Sequence, residues 1–179
     1  MPCYLFTYHG YATWMPDHRR GYVKRKQGVL PRDTEMADRY RAKQREPAAW
    51  FGEDHQSRMI QTIKAAGPHL DAVAHAAACE PTHVHVLISW AHERTWKSMR
   101  TSVRSAMSRS LNQAFGQRSW FADSPSRKRV GDPEHFDYLV LAYLPRHGGV
   151  CWADAATREK SLRRDTQREV SVTARGRRK

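Results

Sequence analysis

Glu80-Pro81-Thr82-His83-Val84-His85-Val86-Leu87-Ile88-Ser89-Trp90 is the stretch on which the reading of this chain turns. Side chains alternate between two faces along a β-strand. On that period Val84, Val86, Ile88 and Trp90 form a core face, and His83, His85, Leu87 and Ser89 point the other way. The two imidazoles lie one pleat apart on the less apolar face, close enough to share one cation. Pro81 puts the pair at the start of the strand, beside a loop that a substrate can reach. His-x-His is common by chance, and two solvated polar residues are its ordinary meaning. Its placement away from the core face speaks for a site.

Outward from this strand, Leu70 to Cys79 is alanine-rich and reads as a strand, joined to the histidine strand by the tight Glu80-Pro81-Thr82 link as a hairpin. Cys3 to His9 reads as a first strand, ended by Gly10. Tyr11 to Gly21 reads as a loop anchored by Trp14, and Tyr22 to Pro31 as a loop carrying Lys24, Arg25 and Lys26. Two helices are expected, over Pro47 to Ala66 with Gly67-Pro68 as its stop, and over Arg94 to Phe115 with Trp96, Met99, Val103, Met107, Leu111 and Ala114 in one stripe. Ser119 to Val130 reads as a short strand, a turn at Asp123-Ser124-Pro125-Ser126 and a basic strand or loop. Asp132-Pro133-Glu134 is a helix start, with Asp132 as N-cap, and that helix runs through Phe136, Leu139, Val140 and Tyr143. The order strand, helix, strand, strand, helix, strand, helix fits an α+β, ferredoxin-like antiparallel sheet. Two helices cover one face, and a C-terminal tyrosine-bearing helix docks on the open face.

At 179 residues the chain fits one domain, over 1–152, followed by a flexible basic tail, 153–179, with one helical stretch near Thr157 to Val170. The tail carries Arg158, Lys160, Arg163, Arg164, Arg168, Arg175, Arg177, Arg178 and Lys179 against few acids, and adds sequence-independent affinity for nucleic acid. A net charge of +13 favours a polyanionic partner, nucleic acid before an anionic membrane. No apolar run approaches the ~20 residues of a membrane span, and Met1 to His9 lacks the basic start of a signal peptide. Cys3, Cys79 and Cys151 are odd in number and widely spaced, which excludes a disulfide framework or zinc ribbon and fits reduced thiols in the cytoplasm.

Tyr143-Leu144-Pro145-Arg146-His147 offers the rest of a site, a nucleophile and a further ligand. Positions four apart share one helix face, so Tyr143 and His147 can both face the histidine strand. Tyr138 is the rival nucleophile, but four residues on is Ala142, which cannot bind metal. Lys97, Arg100 and Arg104 form a basic row on the second helix, and Arg127, Lys128 and Arg129 a basic run. The row reads equally as a solvated face or as a set of phosphate contacts, and the run is a further candidate for nucleic-acid binding.

Pro81, His83, Val84, His85, Val86, Leu87 and Ile88 resemble the Pro-x-His-hydrophobe-His-hydrophobe-hydrophobe stretch of the IS200/IS605-type transposases, a family that includes the REP-associated tyrosine transposases. These are single-tyrosine members of the HUH endonucleases. Tyr11-Ala12-Thr13-Trp14-Met15-Pro16 resembles the segment after the first strand in one branch of that family. The resemblance implies Tyr143 as nucleophile, with His83, His85 and the residue four after the tyrosine as ligands of Mg²⁺ or Mn²⁺. That residue is commonly Gln or Asn in the family and is His147 here. Thr82, where Asn is frequent, and Pro145 inside the helix are further departures. Nitrogen-rich ligation favours Mn²⁺ over Mg²⁺.

The implied activity is cleavage and rejoining of single-stranded or hairpin DNA through a 5′-phosphotyrosine intermediate. It belongs in the cytoplasm, at the nucleoid, with no membrane partner and with a homodimer left open. With three imidazole ligands, protons are expected to compete with the metal as pH falls toward 6. Two other classes stay open: a non-catalytic single-strand-binding module of ferredoxin-like fold, and a metal-dependent phosphohydrolase using activated water.

Overall fold

In the computed structural model, which describes residues 1–24, 27–123 and 125–176, the histidine stretch is strand β5, His83–Trp90. It lies between β1 (Cys3–His9) and β4 (Ala72–Glu80), antiparallel to both. β6 (Ser126–Val130) pairs with the outer edge of β1, and β7 (Cys151–Ala153) with the outer edge of β4. The sheet order is β6-β1-β5-β4-β7, all antiparallel. Its first four members have the 4-1-3-2 order of a ferredoxin-like unit, and β7 is an added edge strand. Arg25 and Lys26 of the expected basic loop, Ser124 of the expected turn, and Arg177, Arg178 and Lys179 of the tail lie outside the described residues.

The two faces of β5 separate as the alternation predicts. Val84, Val86, Ile88 and Trp90 pack under α2 (Glu53–His69) and α3 (Trp96–Phe115), against Met59, Ile60, Ile63, Met99, Val103, Met107 and Leu111. Tyr4, Phe6 and Trp90 stack across β1 and β5 in the same layer, with ring centroids 5.5–6.5 Å apart. Leu87 lies in a smaller core on the opposite face, with Leu5, Ala76, Ala78, Val130, Leu139, Val140 and Leu144. The alanines of β4 let the C-terminal helix approach closely.

That helix starts as α4, Pro133–Tyr138, where the Asp132 carboxylate accepts the His135 amide at 2.7 Å. It does not continue as a regular α-helix. Leu139–Tyr143 is a π turn and Leu144–Arg146 a 3₁₀ turn. Pro145 is the cause, since it has no amide to donate and its ring excludes the carbonyl four residues back. The chain widens before the proline and tightens at it.

Several expectations change. α2 begins at Glu53 rather than Pro47, because the Ala49 and Phe51 amides bond out to Tyr11 and Pro81 carbonyls. Gly67-Pro68 does not stop α2: Gly67 instead lets the helix lie on β4, where a Cβ would meet the Ala72 carbonyl at 3.0 Å. The stretch Tyr22 to Pro31, read as a loop, forms a hairpin, β2 (Tyr22–Lys24) with β3 (Gly28–Leu30), and beyond it, where no element is expected, stands α1 (Thr34–Ala42), capped by Asp33. The tail is helical as α5, Ala155–Gly176, longer than the stretch expected, and its first half is docked. Ser161 is fully buried, and Arg164 and Arg168 both donate to the buried Asp137 carboxylate of α4, at 3.0 and 2.9 Å to Oδ2. Charge count alone hid this, because two of the basic side chains serve a buried acid. No helix among the described residues is long and apolar enough to cross a membrane.

Leu144, 2 % exposed, ties the irregular turn to the sheet. Leu144→Ala is expected to cost about 2–5 kcal/mol in urea unfolding. A loss below ~1 kcal/mol would mean that this turn is not anchored through Leu144.

Candidate active site

The smaller face of the sheet carries four rings that the sequence singled out. His83 and His85 stand on β5, and the C-terminal turn brings Tyr143 and His147 over them. His83, His85 and His147 each offer one ring nitrogen, and the three nitrogens lie within 4.8 Å of one another. Two nitrogens on opposite sides of one ion at bonds of about 2.1 Å would be about 4.2 Å apart, so small ring rotations bring all three onto a shared ion. The group fits a metal. The Tyr143 hydroxyl is 3.4 Å from His85 Nε2.

Partners behind the rings set their orientation, as metal-binding imidazoles require. His85 Nδ1 is 2.7 Å from the hydroxyl of Thr7, its cross-strand partner on β1. His83 Nδ1 is 2.9 Å from the hydroxyl of Thr82. His147 Nδ1 lies 3.1 Å from both the Tyr143 and the Leu144 carbonyl oxygens. Carbonyls only accept, so His147 Nδ1 carries the proton and Nε2 keeps the lone pair.

His147 reaches the site by a different route from the one its spacing predicts. It does not sit on a helix face with Tyr143. Its backbone is extended (φ −71°, ψ 138°), just past the 3₁₀ turn, and its ring folds back onto the Tyr143 and Leu144 carbonyls at the end of the helix. The following loop is pinned: Gly148 donates to the Glu80 carboxylate at 3.0 Å, and Val150 to the Gln56 side chain at 2.8 Å. Gly149 passes so close to the Cys79 carbonyl and the Gln56 side chain that a Cβ would overlap both.

Burial holds His83 down to about 4, helped by the neighbouring His9 and His147 and opposed by Glu80. Burial holds His85 down to about 3, helped by His83, His147 and His9. Both are neutral at pH 6, so the expectation that every imidazole competes with protons near that pH is corrected for these two. Burial, then the adjacent Tyr138, raises the Tyr143 hydroxyl above its ordinary value, so the proton is held at neutral pH.

Tyr138 is half-exposed, and its ring lies 6.3 Å from that of Tyr143, outside the histidine cluster. The six basic candidates do not converge on the cluster. Lys97, Arg100 and Arg127 gather round Trp96, with Arg127 Cζ only 3.8 Å from the ring centroid. Register puts Arg127 and Arg129 opposite Phe6 and Tyr4, on the helix-covered face, and Lys128 opposite Leu5, on the histidine face. Arg104 is occupied by the Phe121 carbonyl at 2.8 Å and Asp123 at 3.3 Å.

Reading the sequence alone missed Thr7, Thr82 as an orienting partner, and His9. His9 is the cross-strand partner of His83, with ring centroids 5.5 Å apart, and its Nδ1 is buried without a hydrogen-bond partner among the described residues. Only the register of β1 against β5 places it there, and no local pattern encodes that register.

No family model and no curated protein matches this sequence. Among solved structures, the chain is similar to one described as "Structure of the REP associates tyrosine transposase bound to a REP hairpin", with 13% identity and a TM-score of 0.42, over 83% of this chain and 70% of that one.

The depressed histidines make a pH prediction. Unfolded, both titrate near 6.5. The unfolded chain therefore binds more protons as pH falls, and stability present above ~6.5 is lost progressively down through about 4 and 3. The melting temperature of metal-free protein should fall over this range, and less steeply in a His83→Asn/His85→Asn double variant. Parallel curves for the two proteins would contradict the burial effect.

Proposed function

We propose that this protein is a single-strand DNA nicking and strand-transfer enzyme of the HUH type, with Tyr143 as nucleophile. The observation that carries the reading is the Tyr143 hydroxyl, 3.4 Å from His85 Nε2 and at the edge of three imidazoles able to hold one ion. The resemblance of the histidine and tyrosine segments to the IS200/IS605-type transposases supports the same assignment.

His83, His85 and His147 hold Mg²⁺ or Mn²⁺ in this reading, their Nδ1 atoms engaged behind and their Nε2 atoms in front. A divalent ion there supplies positive charge to a phosphate oxygen. The Tyr143 oxygen forms a bond to phosphorus and the bond to the 3′ oxygen breaks. The proton lost by the phenol balances the one gained by the departing 3′ hydroxyl. The phosphotyrosine keeps the energy of the cleaved linkage, so a 3′ hydroxyl can reverse the step without ATP. Residues 1–152 form the catalytic unit, and Lys97, Arg100, Arg104, Arg127, Lys128, Arg129 and the tail supply phosphate contacts, with Arg104 the least available of them.

Incubation with single-stranded DNA and Mn²⁺ should give a denaturant-stable adduct that mass spectrometry maps to Tyr143. Tyr143→Phe should lose the adduct and keep DNA binding within about twofold, since one hydroxyl is removed. An adduct at Tyr138 would reject the assignment. Cleavage without any adduct would favour a hydrolase using water, and binding without cleavage a non-catalytic module.

The His147 side chain does two things at once, and an amide can divide the same way, its NH₂ toward the carbonyls and its oxygen toward the ion. His147→Gln should therefore keep most cleavage at saturating Mn²⁺. His147→Ala should need about tenfold or more Mn²⁺ for half-maximal rate. Equal Mn²⁺ dependence in all three proteins would remove His147 from the ligand set.

A further inference from the structure

Beyond the histidine cluster the rings continue. His9 contacts His83, Trp14 lies 5.4 Å from His9, and His18 stacks on Trp14 at 4.2 Å with planes 22° apart. Tyr143 touches the other end of this run, at His85 and His147. Trp14 is 41% exposed, so its indole does not serve mainly to fill a core.

The loop that carries it is nonetheless held firmly to the site. Thr82, the residue before His83, accepts at its carbonyl from the Gly10 amide at 2.7 Å and the Thr13 hydroxyl at 3.1 Å. The Tyr11 amide donates to the Trp120 carbonyl at 2.9 Å, and the Tyr11 carbonyl accepts from the Ala49 amide at 2.8 Å. Ala12 is kept at φ 56°, a conformation few non-glycine residues adopt. Gly10 fits because a Cβ there would run into the Ala49 carbonyl. A large aromatic surface is thus half open to solvent, rigidly mounted, and two rings away from the metal-binding nitrogens.

We infer that the Trp14–His18 pair is a base-stacking platform for the nucleotide immediately 5′ of the cleaved phosphate. The inference rests on the nicking reading above. In phosphoryl transfer the attacking and leaving oxygens lie roughly in line across phosphorus. With Tyr143 attacking from one end of the ring run, the nucleotide that leaves with the 3′ oxygen extends toward the other end, where Trp14 stands. Every base has a π face, so the platform positions this nucleotide without requiring one identity. It would keep the released 3′ end beside the phosphotyrosine, where rejoining needs it.

The test uses the full chain and a (dT)12 strand with one 5-iodouracil, irradiated so that the halogenated base cross-links to a stacked aromatic side chain. Cross-links are mapped by mass spectrometry, binding is measured by anisotropy, and the Tyr143 adduct is assayed in parallel. The expected result is cross-linking to Trp14 or His18. Trp14→Ala should weaken binding by roughly 5- to 150-fold, and Trp14→Phe should restore most of it. Binding and adduct formation unchanged in Trp14→Ala, with cross-links elsewhere, would overturn the platform and leave the nicking reading standing. Trp14-dependent binding without an adduct would keep Trp14 as a base-stacking surface and overturn nicking, and with it the position 5′ of a cleaved phosphate. No binding of the strand by the unaltered protein would overturn both.

Discussion

Strand β5 is hydrogen-bonded along both edges and covered on both faces, and the site depends on that double confinement. A strand with one solvated face could place His83 and His85 with the same spacing, but their rings would be free to rotate and to protonate. Here the helix-covered face locks the strand in register through Val84, Val86, Ile88 and Trp90. A one-residue slip would exchange histidines for valines across the sheet. The second face then buries His85 to 6% exposure, which makes its neutral form the stable one. A buried imidazole needs a partner, and Thr7, fixed opposite by the β1 register, provides it.

Pro145 has a similar reach on the other side of the site. In a straight α-helix, Tyr143 and His147 would be one turn apart and their carbonyls would be bonded within the helix. The proline has no amide for that ladder, the chain leaves helical geometry by His147, and the His147 ring folds back onto the Tyr143 and Leu144 carbonyls. The ring is thereby assigned a tautomer and aimed at β5 by the irregularity itself. Loop contacts from Glu80 and Gln56 keep the chain folded back after it. A residue that breaks local helical order so serves the geometry of the cluster.

The sequence was most legible where one periodicity governs. Alternation gave both faces of β5, helical spacing gave the α3 stripe as far as Leu111 but not Ala114, which is exposed where the helix runs past the sheet, and Asp132-Pro133 marked the start of α4 to the residue. The residues His83, His85, His147 and Tyr143 can be picked from the sequence and do cluster, though the helix expected to join the last two is interrupted. The elements that escaped are stabilised from outside themselves. The three-residue β7 exists because β4 offers an edge, and the first half of α5 is docked by the buried Asp137. His9 and Thr7 belong to the site only through cross-strand register, and Trp14 only through a loop tied to Thr82. Such long-range relations leave no mark in a window of neighbouring residues.

The donor set itself bears on how a chain with this chemistry would hold a phosphate. The cluster is three imidazoles and contains no carboxylate. Glu80, the acid that most affects His83, is engaged with the Gly148 amide. Carboxylate ligands would hold a hard divalent ion more tightly but would cancel its charge and repel the strand. Imidazole nitrogens, which bring no negative charge of their own, leave the ion's full charge for an anion, at the expense of affinity for the ion alone. Ion and phosphate then become mutually dependent ligands: each binds better when the other is present, and by equal factors. With a net charge of +13 the chain attracts a polyanion in any case. The site need not be charged in advance, since the strand can bring the remaining oxygens to the ion. Such a cluster would stay weakly loaded with its ion until an anion occupied it, a form of control that a carboxylate-rich cluster of the same shape would not have.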